Sequence, residues 1–316
     1  VGTTVNNIVI DHSSISWGLD ENINTWTDKV HDVTISWSIT SEALYDSIHV
    51  DEGQPAGAYA PHSMGMLIGH DGKRISMHHN LIAHAADRTP WMQEGTTSEF
   101  VNNVIYNWGG GQWPAKYSGL GDIVLADTVN NFIKRGTNST TTSRLSILLS
   151  SNLAVGSKVY VKGNMFYDQS HQFVGQDLVS DGSTSNSNYR SMTPAFGSGQ
   201  IIVQTATQAY EDVLGSVGAI APKRDGVDSY IVSSVRNGTG TIIDCIMTCN
   251  ESSDRRNFHQ GWPIYNTGVA PVDSDRDGIP NSWETTHGLN PNDANDGNQL
   301  APSRYTWVEE YINSLI

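Results

Sequence analysis

A short block recurs six times between Ile8 and Phe166, and this repeat constrains the fold more than any other feature of the chain. Each copy has a polar residue between apolar positions, and successive polar residues lie 25, 42, 23, 28 and 33 residues apart. Because an asparagine amide both donates and accepts, it can bond to its copy in the next layer of a stack. The six polar residues are Ser13, Ser38, Asn80, Asn103, Asn131 and Asn164.

Short apolar segments at this period predict a solenoid of strands, which is a parallel β-helix. We expect its coils over about residues 5–170, with long loops at 41–72, 106–122 and 134–157. Residues 171–200 are rich in Ser, Gly and Asn and indicate an extended polar loop. Residues 205–218 have helical spacing and end in glycine, so a short helix is expected there. Irregular wrapping chain is expected over 219–268.

The composition narrows the function classes. A formal net charge of −15 argues against a nucleic-acid or anionic-membrane partner. The sequence contains no apolar run long enough to span a bilayer, which predicts a soluble chain. The two cysteines, Cys245 and Cys249, are too few for a disulfide framework. They could form one disulfide bond or remain as two thiols. A chain that starts at Val1, almost inside a strand, is expected to be a processed or truncated product, in which either upstream coils are missing or the end of the stack is capped in another way.

The composition changes sharply at Asp273, so we expect two domains, residues 1–268 and a tail of residues 269–316. The tail contains alternate acidic residues, a glycine at position 6 and a glutamate at position 12, the pattern of a twelve-residue calcium loop. A second acidic cluster at 292–296 could complete a companion site. Residues 305–316 predict a short amphipathic helix. The expected ligands are Asp273, Asp275, Asp277, Ile279 through its carbonyl, Asn281 and Glu284.

Carboxylates also cluster after the first strand. Asp11 follows that strand, and the next loop contains Asp20, Glu21 and Asn24, a set of oxygen ligands that suits calcium. The alternative is that Asp11 caps a turn. Arg88 lies six residues past Ile82 and Asp20 five past Ile15, so both leave their coils at about the same corner. Arg88 could instead pair with a neighbouring aspartate.

Other polar and aromatic residues allow two interpretations each. His78 and His79 alternate across a strand, and a stacked structural histidine competes with a role in the site. Trp91 suits sugar stacking but also suits packing beneath a loop. Lys116 and Lys134 could neutralise an anionic polymer or lie on a solvated surface.

At these residues the chain resembles the polysaccharide lyase family 1 pectate lyases. The similar segments occur in the family's order and cover roughly residues 8–108. Later segments at 209–219 and 223–228 and the acidic tail resemble secreted bacterial members. The segments are 8–16 with Ile-Asp11-His12, 32–37, the Leu-Ile-Gly of 67–69, 74–81 with His78-His79-Asn80, the Arg-Thr-Pro of 88–90, and 101–107.

The resemblance implies a right-handed parallel β-helix with a small C-terminal calcium-loop and helical extension. It implies Ca²⁺-dependent β-elimination on polygalacturonate, with Arg88 in the Arg-x-Pro90 motif as the base. Calcium would be held by Asp11 and by a second acidic segment, matched best by Asp20 and Asn24 with Glu21 as a competing ligand. His62, His79, Pro90, Trp91, Gln93, Lys116 and Lys134 are the candidate substrate-binding residues.

Two departures from the family pattern remove positive charge. Met64 stands where the family has a lysine, with His62 nearby, and Gln93 stands where it has a second arginine. The leading hypothesis is a secreted, bacterial, monomeric lyase acting on acidic plant cell-wall polysaccharide. The alternatives are a β-helical glycan-binding module or inactive truncated lyase, and a β-helical glycoside hydrolase, which would need paired carboxylates.

Overall fold

A computed structural model describes residues 4–26, 28–50, 54–55, 57–58, 60–119, 121–139, 144–181, 189–197, 201–245 and 268–316. Its strands form three sheets, which the chain visits in the order A, B and C, except near the end of the coils, where two consecutive strands both lie in sheet B. All but one of the strand pairs are parallel; the exception lies at the end of sheet B. The chain is therefore a parallel β-helix, which confirms the fold predicted from the repeat.

The strands of the three sheets are as follows. Sheet A contains β1 (Val5–Asp11), β4 (Val30–Ser36), β7 (Lys73–His78), β10 (Thr97–Val101), β13 (Leu125–Val129), β16 (Lys158–Lys162) and β20 (Arg190–Ser191). Sheet B contains β2 (Ser14–Ser16), β5 (Ile39–Ser41), β8 (Leu81–Ala83), β11 (Val104–Tyr106), β14 (Phe132–Lys134), β17 (Met165–Tyr167) and β18 (Phe173–Gln176). Sheet C contains β3 (Glu21–Trp26), β6 (Met64–Gly69), β9 (Trp91–Met92), β12 (Ala115–Tyr117), β15 (Ile147–Leu149) and β19 (Val179–Asp181).

Sheet C corrects the expectation for the loops. The repeated block spans the corner between sheets A and B, whereas β6, β12 and β15 lie inside the segments expected to be long loops. These strands have only three to six residues, and no repeated polar column marks them. The polar segment 171–200 was likewise expected to be a loop, but it contains β18, β19 and β20.

The repeated polar residues form a buried hydrogen-bond ladder. The Nδ2 group of Asn103 donates to Oδ1 of Asn131 at 3.1 Å, and that of Asn131 donates to Oδ1 of Asn164 at 2.8 Å. The ladder begins with Ser13 N donating to Ser38 Oγ and ends on Asp177, whose carboxylate accepts from Asn164 N. The sequence predicted this stacking, and the hydrogen bonds confirm it. Asp177 was missed because it is the only carboxylate in the column.

Apolar side chains fill the interior of the coils. The positions that alternate inward in sheet A come into register, so Val33 lies opposite Ile75. These side chains are 3% and 0% exposed, respectively, as expected for a strand with one buried face. Burial of one face fixes the register between neighbouring strands. Each corner of the coil, and each loop that leaves a corner, therefore has a fixed position along the axis of the solenoid.

Two helices cover sheet B. Helix α1 (Ala206–Ser216) confirms the helix expected at 205–218, and the Thr205 side chain caps it by accepting from Gln208 N. Helix α2 (Gly226–Asn237) lies where irregular chain was expected, so that expectation was wrong there. Both helices bury apolar faces in the cluster that includes Leu81, Val104 and Phe132. Among the described residues, no helix has the length and apolarity needed to cross a membrane.

The chain divides into two compact units, Val1–Ala219 with Asp225–Pro263, and Ile220–Arg224 with Ile264–Ile316. The second unit contains α3 (Asn281–His287) and α4 (Trp307–Asn313). Helix α4 confirms the helix expected at 305–316, and Thr306 with Glu309 forms a capping box at its start. Trp283 of α3 lies edge-on to Trp307, with ring centroids 6.2 Å apart.

Candidate active site

Arg88 lies in the turn between β8 and β9, at the edge of sheet C. Its backbone has a φ of 54°, in the left-handed region, and its carbonyl accepts from Met66 N at 2.6 Å. The neighbouring strand passes close by, since a Cβ on Gly65 would lie 2.9 Å from the Arg88 carbonyl oxygen. Glycine at 65 therefore lets β6 hold this turn in place.

The Arg88 side chain meets the carboxylates of the first coil. Its Nη1 atom forms an ion pair with Glu21 and lies 4.0 Å from Oδ1 of Asp20. The Arg88 side chain is 19% exposed and that of Glu21 is 4% exposed. Asn24 Nδ2 donates to Oε2 of Glu21 at 3.2 Å, so this amide joins the same cluster. The structure thus brings together Arg88, Asp20, Glu21 and Asn24, which the sequence had placed at one corner.

A second cation lies on the same face. Lys116 in β12 is paired in register with Trp91 in β9. Both cations lie over the Trp91 ring, with Lys116 Nζ at 4.3 Å and Arg88 Cζ at 5.2 Å from its centroid. Lys116 Nζ also donates to Asp87 Oδ2 at 2.5 Å. Trp91 fixes its own ring by donating to Ser118 Oγ at 2.6 Å.

Burial weakens the protonated form of both cations. It lowers the pKa of Arg88, although the nearby Asp20 carboxylate opposes the shift. Burial also lowers the pKa of Lys116, against the opposing effect of Asp87 and with a further contribution from Arg88. A desolvated cation loses its proton more readily than one in water, which is the property that a proton-accepting side chain requires.

A cleft of about 590 Å³ opens beside this cluster. Its lining includes His62, Asp87, Gln112 and Asn138. His62 Nε2 lies 2.7 Å from Oδ1 of Asp20, which ties the cleft wall to the carboxylate cluster. The cleft therefore combines imidazole, carboxylate and amide groups next to two buried cations, a lining that suits a polar ligand.

Two further predicted residues flank Arg88. Pro90 accepts through its carbonyl from Lys116 N at 3.0 Å, so it helps to fix the spacing of β9 and β12. The Gln93 side chain is 9% exposed, and its Oε1 atom has no hydrogen-bond donor among the described residues. A Cβ on Gly69 would lie 3.0 Å from that oxygen. Gln93 thus packs closely against β6.

Asp11 is not brought into this cluster. Its carboxylate bonds to His12 Nδ1 at 2.6 Å and accepts from Ser36 Oγ at 2.5 Å, at the corner between sheets A and B. Burial alone raises the pKa of Asp11, but the hydrogen bonds from His12 and Ser36 outweigh burial and lower it. These contacts are to side chains rather than to a turn backbone, and within the described residues none joins Asp11 to Asp20 or Arg88.

His79 and Lys134 also have other partners. His79 stacks on Trp37 at 4.5 Å between ring centroids, and its Nε2 atom bonds to Gln204 Oε1 at 3.0 Å. Lys134 is 1% exposed, and its Nζ donates to the carbonyl oxygen of Val235 at 2.6 Å, at the C-terminal end of α2. The structure gives Lys134 a role in holding that helix and gives His79 the stacked, structural role.

The donor set near Arg88 fits calcium in part. Asp20 and Glu21 supply two carboxylates and Asn24 an amide, which are oxygen ligands that calcium takes. Both carboxylates already have protein partners, because Glu21 pairs with the Arg88 guanidinium and Asp20 contacts the His62 imidazole. A calcium ion here would compete with those contacts.

The tail offers carboxylates with fewer protein partners than those near Arg88. Asp273, Asp275 and Asp277 bring carboxylate oxygens within 4.8 Å of one another, and Asp277, Glu284 and Asp296 do the same. Both side-chain oxygens of Asp275 and Glu284 are buried without a hydrogen-bond partner among the described residues. Burial and the neighbouring aspartates raise the pKa of Glu284 to about 7. Uncompensated buried carboxylates fit a divalent cation.

The tail also refines the expected ligand list. Asn281 uses its side chain within the loop, accepting from Ser274 N at 2.8 Å, and Ile279 N donates to Asp277 Oδ1 at 2.8 Å. Asp296 joins Glu284, although it lies outside the twelve-residue pattern. The acidic run at 292–296 was the available signal for it, since that run was recognised as a candidate companion cluster.

Coiled parallel sheets with this polar cleft at one corner define a β-helix protein with a candidate site on one face. No family model matches the chain. Along 98% of its length it is similar to proteins called "Probable pectate lyase C", with 31% identity to the one from Emericella nidulans and 29% to the one from Aspergillus terreus. The chain spans 65% of the length of each of these relatives. The relatives are fungal, so they leave the expected bacterial origin unconfirmed.

Proposed function

We propose that this protein is a calcium-dependent pectate lyase that cleaves α-1,4-linked polygalacturonate by β-elimination. The observation that carries the proposal is the position of Arg88, desolvated at the cleft edge between the carboxylates of Asp20 and Glu21 and the ring of Trp91. The resemblance of the chain to pectate lyases along 98% of its length supports the same reaction.

Arg88 is the proposed base. Its neutral guanidine would accept the C5 proton of a uronate residue. The C5–H electron pair then forms the C4–C5 double bond as the C4–O4 bond breaks, and the O4 leaving group takes a proton from water. Lys116 lies beside Arg88 on the same indole and would attract the substrate carboxylate. His62 and Met64 both line the cleft, and the His62 imidazole would offer the substrate a hydrogen bond where Met64 offers none.

The protonated state of Arg88 is the main energetic obstacle, because a free guanidinium holds its proton at ordinary pH. Burial lowers the pKa of Arg88 and so reduces the obstacle. The ion pair with Glu21 stabilises the charged form. A ligand that draws Glu21 away would therefore favour proton loss from Arg88.

Asp20 and Glu21, with Asn24 beside them, are the residues that would hold a catalytic calcium ion. The ion would supply positive charge that stabilises the enolate-like charge developing on the uronate carboxylate. In the tail, Asp273, Asp275, Asp277, Glu284 and Asp296, with the Ile279 carbonyl, would hold structural calcium. Asn281 would act by fixing the loop through Ser274.

The expected surroundings are extracellular. Cys245 is disulfide-bonded, a state that persists in oxidising compartments, whereas Cys249 lies outside the described residues. The proposed substrate is an acidic polysaccharide of plant cell walls, which an overall acidic protein would bind through local cations such as Lys116. We propose that the enzyme acts as a monomer.

Product analysis separates the candidate functions. The purified protein is incubated with polygalacturonate and calcium, and the ultraviolet absorbance of the unsaturated end is followed together with the number of reducing ends. We expect both to rise in equal amounts. Reducing ends without the absorbance would instead identify a glycoside hydrolase, and binding without either product would identify a glycan-binding module.

A further inference from the structure

Two histidines and an aspartate converge at one side of the cleft. His62 Nε2 lies 2.7 Å from Oδ1 of Asp20, and the ring centroids of His49 and His62 are 4.1 Å apart. One ligand atom from each of the three residues falls within a 4.8 Å cluster. The His62 side chain is 12% exposed and that of Asp20 is 56% exposed, so the group has a buried side and an open side.

The backbone fixes the positions of these residues. Strand β3 pairs with β6 in parallel, with Glu21 opposite Met64, and Met64 N donates to the Asp20 carbonyl at 3.2 Å. This pairing carries the segment before β6 past Asp20. His62 N donates to the Tyr45 carbonyl at 2.8 Å, and His49 accepts through its carbonyl from Ala60 N at 3.2 Å. Both histidines therefore lie near Asp20, at the start of β3.

The chemistry of the three side chains differs from that of the carboxylate clusters. Calcium selects oxygen ligands, whereas two imidazole nitrogens and one carboxylate form a set that zinc and similar divalent transition metals take, often with a fourth position left open. On a tetrahedral ion with bonds of about 2 Å, ligand atoms lie about 3.3 Å apart. The 4.8 Å cluster therefore closes around an ion after small side-chain rotations.

We propose that Asp20, His49 and His62 bind a divalent transition-metal ion of the zinc class. His62 is part of the cleft lining, so an ion held by these three residues would lie beside the cleft. Asp20 also belongs to the oxygen ligands proposed for calcium, so the two ions compete for one carboxylate. The proposal rests on the geometry of the three side chains and stands independently of lyase activity.

Calorimetric titration of the full chain with zinc tests the site. Calcium is held at a concentration that fills the tight sites of the tail but leaves the weaker cleft site empty, so that it does not compete with zinc for Asp20. We expect one zinc ion per chain, with affinity lowered at least about tenfold in His49→Gln and in His62→Gln. The matched control is His31→Gln, because His31 also lies 2.6 Å from an aspartate but belongs to no metal-ligand cluster among the described residues.

Cobalt substitution provides a second readout that does not depend on the enzyme reaction. Cobalt bound by imidazole nitrogen gives visible absorption bands, and we expect these bands in the wild type and in His31→Gln. They should disappear in His49→Gln while circular dichroism shows an unchanged fold. The proposal is overturned if zinc does not bind, or if all three variants bind zinc and cobalt as the wild type does.

Discussion

The two carboxylate clusters of this chain are neutralised in different ways. In the cleft, Glu21 pairs with Arg88, Asp20 with His62, and Asp87 with Lys116. In the tail, Glu284 is 0% exposed, and its two oxygens have no hydrogen-bond donor among the described residues. A buried carboxylate without a counter-charge is strongly unfavourable. A divalent cation would compensate the charge of the tail, whereas the carboxylates of the cleft already have protein partners.

This difference predicts two classes of calcium binding. The tail gains most, because burial and then repulsion from the neighbouring aspartates raise the pKa of Glu284 to about 7, and a bound cation would relieve both effects. In the cleft an ion must displace Arg88 from Glu21 or His62 from Asp20, so part of its binding energy is offset. We therefore expect tight structural binding of calcium in the tail and weaker, exchangeable binding in the cleft.

The largest expected effect is on the tail. Glu284→Gln removes the most buried ligand, so the affinity of the tight class should fall at least about 100-fold, or about 2.7 kcal/mol. Calcium titration by calorimetry measures this change. Glu310→Gln, a change in the same tail at an exposed carboxylate bonded to Ser303, should leave the tight class intact. Equal effects of the two substitutions would contradict the assignment of Glu284 as a ligand.

A smaller effect is expected for the internal counter-charge of the cleft. Lys116→Met leaves Asp87 partly buried without its ion-pair partner and should lower the free energy of unfolding by about 2 kcal/mol. Adding Asp87→Asn removes the stranded charge and should restore most of that loss. Denaturant unfolding of the single and double variants measures both changes. If the double variant is no more stable than Lys116→Met, the ion pair is not what stabilises this wall.

The smallest effect concerns competition between Arg88 and calcium. Arg88→Ala frees Glu21, so the affinity of the weak calcium class should rise, by up to about tenfold. Arg74→Ala is the matched control, because Arg74 pairs with Asp32 on sheet A. Calorimetry after the tight class is saturated detects the change. An unchanged or weaker second class in Arg88→Ala would show that Glu21 and calcium do not compete with the guanidinium.

The sequence predicted the stacked scaffold well because its signals are local and repeated. Asn103 and Asn131 stand at equivalent places in successive coils, and hydrogen bonding makes that spacing physically meaningful. Helix α2 was missed because its apolar face is stabilised only by contact with sheet B. The two sides of that contact are far apart in the sequence: Lys134 and Val235, for example, lie more than 100 positions apart.

The sequence predicted which corner of the coil carries the candidate site, but not which side chains pair with one another there. Arg88 and Asp20 share a position relative to their strands, so their proximity could be inferred. The Asp11 carboxylate accepts a hydrogen bond from Ser36 instead of joining this cluster. The spacing of residues in the sequence does not show which of these partners it takes. Likewise, the ring centroids of His49 and His62 lie 4.1 Å apart, a contact that neither the repeat nor the strand spacing predicts.

The most direct measurement is the rate of formation of the unsaturated product from polygalacturonate by Arg88→Ala, set against Arg74→Ala and the wild type. Wild type and Arg74→Ala should form the product only with calcium present, and chelation should stop them. Arg88→Ala should lose nearly all of the rate while it stays folded and still binds calcium. Retention of the wild-type rate in Arg88→Ala, or product formation that persists after chelation, would contradict a calcium-dependent elimination with Arg88 as its base.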